Sequence, residues 1–185
     1  MNFKLTVSAK GDDLSFKNDS GLVKFFIENE NLEKLVDDFF LNFNLVFNPL
    51  QKKYFLDKKN DEIVYYSASP EPSIIFLKKI KIDKDFNSDF FRNYFAGLIP
   101  SLKGKEVKSL NVIVPAFSNF PGHFESDQYM IQSMAEGIYL GNYSFDKYLS
   151  GKKNPHSLEV AIHYNNRSIV DLALTTAVKL IDSVS

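Results

Sequence analysis

The chain switches repeatedly between an apolar period of two residues and one of three to four. Phe3 to Ala9 and Gly21 to Glu28 are alternating or continuously apolar and partly β-branched, which predicts two strands joined by the turn-rich stretch KGDDLSFKNDS. Leu32, Leu35, Val36, Phe39 and Phe40 then fall at helical spacing, with Asn31 suited to cap the helix and Glu33 in its first turn. Lys52 to Ser67 reads as a hairpin, because Asn60-Asp61 favours a turn between KKYFLD and EIVYYS. Ser73 to Ile80 is a further strand.

In the second half the helical period dominates. NSDFFRNYFAGLIPSLKGK predicts a helix capped near Asn87 or Ser88 and bent or ended by Pro100, which has no N–H to donate. Val107 to Phe117 holds the most continuous apolar strand, of the kind buried on both faces of an α/β sheet. A helix follows over SDQYMIQSMAEGIYLGNY, then a strand from Ser157 to Tyr164. The last helix carries Val170, Ala173, Leu174, Ala177, Ile181 and Val184 along one face and reaches Ser185 without a stop signal, so the chain is expected to end in mid-helix. Strands and helices in alternation predict an α/β fold, a mixed β-sheet flanked by helices.

Composition narrows what such a fold can do. At 185 residues one domain with a sizeable core is expected. The 22 Lys and Arg nearly balance 23 Asp and Glu, so no long-range field favours nucleic acid or anionic lipid. Cysteine is absent, which removes disulfides and thiolate metal sites and suits a cytoplasmic protein. No apolar run approaches the roughly 18 residues of a membrane span, and the start is too short in apolar residues for a signal peptide. The 18 Phe without any Trp read as ordinary core positions.

Little in the sequence is reactive. His123, His156 and His163 form neither HExxH nor an i, i+4 pair, and His163 reads as a residue at the edge of the core. No GxSxG, GxxxxGK or GxGxxG occurs. Gly137 and Gly141 make a GxxxG that permits close helix packing, and the pairs Asp12-Asp13 and Asp37-Asp38 read as solvated carboxylates. Val114 to Gln128 leaves a buried strand at its carboxyl end and enters a helix, so Ser118, Asn119, Gly122 and His123 are a candidate anion-binding loop. An ordinary connection stapled by Phe117, Phe120 and Phe124 is the favoured reading, since phosphate loops need several glycines and this one has Gly122 alone.

One segment is more specific. AEGIYLGNYSFDKYLSGKK, Ala135 to Lys153, offers Glu136-Gly137, Gly141, Tyr143, Phe145, Asp146, Tyr148 and Lys152-Lys153 between a helix and the last strand. It resembles the end of the N-terminal domain of leucyl aminopeptidases, the cytosol aminopeptidases. The resemblance implies a macro-domain-like sandwich over residues 1–166, and over 167–185 the start of a linker helix toward a C-terminal catalytic domain. In that family the two divalent metal ions, zinc or manganese, and the catalytic residues belong to the second domain, whose NTDAEGR signature does not occur here. The implied chain is non-catalytic, with its own catalytic domain and a homo-hexamer as partners, and serves assembly and access to the active site. The near-neutral charge gives no support to nucleic acid as a partner. The alternative is a stand-alone macro-like module that binds a nucleotide of the ADP-ribose type near Pro115 to Phe124, or a regulatory protein without the catalytic half.

Overall fold

The computed structural model describes residues 4–11, 14, 16, 19–67, 72–102, 105–143 and 157–184. The elements run β1 (Lys4–Lys10), β2 (Ser20–Ile27), α1 (Leu32–Asn42), α2 (Pro49–Leu56), β3 (Glu62–Tyr66), β4 (Ile74–Ile80), α3 (Phe90–Ser101), β5 (Ser109–Ile113), α4 (Asp127–Asn142), β6 (Ser157–His163) and α5 (Arg167–Val184). Six strands form one sheet in the order β1-β6-β5-β2-β4-β3. All neighbours are parallel except β3, which lies antiparallel to β4 at the edge. The mixed α/β sheet expected from the alternation of periods is therefore present.

Two cores follow from the pleat. In β2, Val23 and Phe25 face one side, where α3, α4 and α5 contribute Phe91, Phe95, Ile131 and Val170. Leu22 and Phe26 face the other, where Leu32, Val36, Phe39 and Phe40 of α1 and Phe55 of α2 cover the sheet. Strands buried on both faces need apolar residues at successive positions, which is why β2 and β4 read as continuous runs. Lys79 interrupts β4 and is buried, but its Nζ donates to Asp57 O at 2.8 Å and lies 5.6 Å from the Phe55 ring centroid.

The expected hairpin over Lys52 to Ser67 is not formed as such. Its second half is β3, but Pro49–Leu56 is a helix. Asn48 caps that helix, its side chain accepting from the Leu50 N–H at 2.8 Å, and Pro49 occupies the first position, where its missing N–H costs nothing. The turn signal itself was sound: the Asn60 N–H donates to Asp57 O at 3.1 Å and the Lys59 N–H to Asp57 Oδ1 at 2.9 Å. Smaller differences occur at element ends. Asn31 stands at the N-cap of α1 without a side-chain cap bond, and α3 starts at Phe90, with Asn87 Oδ1 accepting from the Asp89 N–H at 2.7 Å. Pro100 falls in the last turn of α3, which ends one residue later. α5 seats Val170, Ala173, Leu174 and Ala177 in the first core.

Candidate functional site

The sheet order creates one crevice by topology. From β2 the chain leaves to α1 on one face, whereas from its neighbour β5 it leaves to α4 on the opposite face. Connections that diverge beside adjacent parallel strands open a gap at the strands' carboxyl ends, the usual place for a ligand in open α/β sheets. A cleft of about 550 Å³ lies there. Its walls are apolar, with Phe26, Phe39, Phe43 and Leu35 on one side and Pro115 on the other. Its polar groups are Lys24, Asp38 and the amides of Asn29, Asn42 and Asn119.

Lys24 is the unusual member. It sits in β2, opposite Leu77 of β4 and Ile113 of β5, on the same face as Leu22 and Phe26. Its Nζ lies 5.6 Å from the centroid of the Phe26 ring. Burial lowers its pKa from the ordinary lysine value, because the charged form loses water. Asp38 reaches the cleft from α1, one turn beyond Leu35 and one before Asn42. Its neighbour Asp37 is taken up by Lys52, at 2.8 Å.

Of the four residues of the expected anion loop, Asn119 lines the cleft and the others do not. Ser118 is exposed in a short 3-10 turn, Phe117–Asn119. Gly122 holds a φ of 75°, a left-handed conformation that glycine adopts without strain, and a Cβ there would meet nothing within 4 Å. The His123 ring lies edge-on to Phe86, with centroids 5.0 Å apart. The N–H groups of Asn119, Phe120 and His123 donate to Ala116 O at 3.0 Å, Phe117 O at 3.0 Å and Phe120 O at 3.2 Å. At the start of α4, Ser126 Oγ accepts from the Tyr129 N–H at 3.1 Å, and Asp127 Oδ1 from the Gln128 N–H at 2.9 Å. The protein's own carboxylate already faces that helix dipole. Phe120 and Phe124 are buried and pack on each other and on Phe91, with centroids 5.6 to 5.8 Å apart, so the loop is stapled as expected.

Two smaller hollows flank the cleft. One of about 190 Å³ at the ends of β5 and β6 is lined by Leu14, Ile113, His163 and Tyr164. His163 is buried, with Nδ1 3.0 Å from Gly11 O and Nε2 2.9 Å from Asn111 Oδ1. The Tyr164 hydroxyl donates to Asp127 Oδ2 at 3.1 Å, and burial, together with that carboxylate, pushes its pKa up to about 12. The other, of about 480 Å³, opens beside β4 and α3. At its edge the Tyr94 hydroxyl donates to Glu62 Oε1 at 3.4 Å, and burial raises the Glu62 pKa.

The glycines of the opening helix of the AEGIYLG segment are structural. A Cβ on Gly137 would collide with the Arg92 carbonyl oxygen of α3, and one on Gly141 would stand 2.9 Å from Phe95 O and from Ile99 Cβ. Glu136 is buried beside the seam they create. Its Oε2 accepts from Arg92 Nε at 2.8 Å and its Oε1 from Gln132 Nε2 at 2.7 Å, while Arg92 also pairs with Asp89. Phe145, Asp146, Tyr148, Lys152-Lys153, His156 and the pair Asp12-Asp13 lie outside the described residues.

Among the described residues, no group of three or more His, Asp or Glu is placed to hold a metal ion, so these residues do not fit a two-metal centre. None of their helices is long and apolar enough to cross a membrane.

No profile of a known protein family matches the chain. Among curated proteins, a probable cytosol aminopeptidase of Sulfurihydrogenibium sp. is 28% identical over 145 residues, covering 77% of this chain and 28% of that protein. Another from Clostridium tetani is 27% identical over 139 residues, covering 75% of this chain and 27% of that protein. Among solved structures, a mutant of tomato leucine aminopeptidase superposes with a TM-score of 0.66 at 14% identity, over 96% of this chain and 36% of that one. The bottromycin maturation enzyme BotP superposes with a TM-score of 0.53 at 14% identity, over 85% of this chain and 30% of that one. The chain thus spans about a third or less of the length of these relatives. The chain is thus similar in sequence to cytosol aminopeptidases, over about three quarters of its length, and shares its fold with a part of tomato leucine aminopeptidase.

Proposed function

We propose that the chain is the non-catalytic N-terminal domain of a leucyl aminopeptidase-like metallo-exopeptidase, in which it serves assembly and shapes access to the active site. The observation that carries this reading is the one-sided coverage: three quarters of this chain matches little more than a quarter of each curated relative. The parent would remove N-terminal amino acids from peptides in the cytoplasm, with two zinc or manganese ions in its second domain. Two-metal hydrolysis needs several oxygen or nitrogen ligands converging within a few ångströms and an open position for water. Among the described carboxylates, Asp37 instead pairs with Lys52 and Glu136 locks α4 to α3 through Arg92. An assembly role draws support from Leu41, Val46 and Leu50, which are 77%, 82% and 77% exposed around the α1–α2 connection. Clusters of exposed large apolar side chains mark surfaces that meet a partner, and a hexamer of the parent is the assembly proposed.

The test is an aminopeptidase assay on the purified chain with leucine amides and short peptides, with zinc, manganese or magnesium added. No turnover above background is expected. Activity that survives further purification and is abolished by a chelator would overturn the reading.

A further inference from the structure

The cleft between β2 and β5 has a charge pattern that selects a ligand class. Lys24 supplies its one cation and Asp38 its one carboxylate among the described lining residues. Among the described residues no salt bridge joins the two, and no hydrogen bond engages the Lys24 ammonium. A half-buried ammonium over an aromatic ring, without an anionic partner, is a costly arrangement that an incoming carboxylate would repay. Asp38 at the exposed rim works against a multiply charged anion: a diphosphate would meet a single cation and a repelling carboxylate. A ligand carrying both charges satisfies both groups. The rings of Phe26, Phe39 and Phe43 also line the cleft and suit an apolar body. The volume, about 550 Å³, falls within the roughly 300 to 1,000 Å³ of small-molecule sites.

We propose that this cleft binds a free amino acid with a large apolar side chain, its carboxylate on Lys24, its ammonium toward Asp38 and its side chain against Phe39 and Phe43. The proposal stands on the cleft alone and does not need the peptidase reading. Where that reading also holds, the occupant belongs to the class of product that the parent releases, and the site gives this domain a way to sense it. Burial explains why Lys24 suits the role. Its lowered pKa reports the missing water shell, and a bound carboxylate would restore the favourable surroundings of the charged form.

The experiment is isothermal titration calorimetry with thermal melts on the 185-residue chain. L-Leucine and L-phenylalanine at millimolar concentration should bind saturably and raise the melting temperature as concentration rises. Leucinamide, which lacks the carboxylate, and 4-methylpentanoate, which lacks the ammonium, should each bind about tenfold more weakly or worse. Lys24→Met should abolish leucine binding. Asp38→Asn, a change on the exposed face of α1, should weaken leucine about tenfold while leaving 4-methylpentanoate unaffected, and it keeps the test open if Lys24→Met does not fold. Absence of saturable leucine binding, an equal response to leucinamide, or ADP-ribose binding more tightly than leucine would each overturn the proposal. None of these outcomes bears on whether the chain hydrolyses peptides, so the two readings fail separately.

Discussion

Gly137 shows how one missing methyl group can set the distance between two helices. Because a Cβ there would meet the Arg92 carbonyl of α3, Gly137→Ala should force α3 and α4 apart and cost about 1 to 3 kcal/mol in urea unfolding. Gly97, also helical, has nothing within 4 Å of a Cβ, so Gly97→Ala should instead gain about 0.5 to 1 kcal/mol from helix propensity. Equal effects from the two would remove the packing argument. Glu62 gives a second residue-scale prediction. Burial lifts its pKa above 4.5, with Lys78 acting in the opposite sense, so the folded chain holds that proton more tightly than the unfolded one. This residue therefore favours the fold below pH 4.5, and the benefit is lost as pH rises through the folded value. Glu62→Gln should raise the melting temperature at pH 7 and leave it nearly unchanged at pH 3; an equal shift at both would show that ionisation is not the cause. At this scale the sequence was partly legible. GxxxG announced close packing, and the structure supplies the partner. Lys24 is not legible as a site residue in the sequence, because an isolated lysine in the apolar run from Leu22 to Ile27 gives no hint that Ile113, far along the chain, will stand beside it.

At the scale of elements, long periodic segments with a clear start were read correctly. The helix from Asp127 to Asn142 has Ser126 ahead of it, and that residue does cap it. α2 departs from the expected hairpin, because its KKYFL looks like strand residues before a turn. Eight residues give barely two helical turns, too few for a period to declare itself, and the decisive signal was the Asn48-Pro49 pair in front. Asn48→Ala should cost about 1 kcal/mol by leaving the Leu50 N–H without its acceptor. A change below about 0.3 kcal/mol, with the helix retained by circular dichroism, would mean that packing of Phe55 alone holds α2 in place. Strand ends were over-extended for a related reason. The apolar run from Val107 to Phe117 continues past Ile113, but Pro115 cannot donate to a ladder and the chain turns away into the cleft wall.

For the whole molecule, fold class followed from the alternation of periods, but strand order did not, because neighbours such as β1 and β6 meet across more than 140 residues of sequence. That order decides where the crevice lies, and hence which side chains can act together. The likeness to cytosol aminopeptidases was legible through one segment. Its glycine and glutamate half is now seen to be a helix seam, with Glu136 held by Arg92 and Gln132. Such a seam fixes the spacing of α3 and α4 and so preserves the domain's shape. The most direct measurement is the mass of the native polypeptide, recovered from the cells that make it with an antibody raised against this chain. The account predicts a species severalfold heavier than 21.2 kDa that carries the antigen and a metallopeptidase domain on one chain. A 21.2 kDa polypeptide as the only species would contradict it.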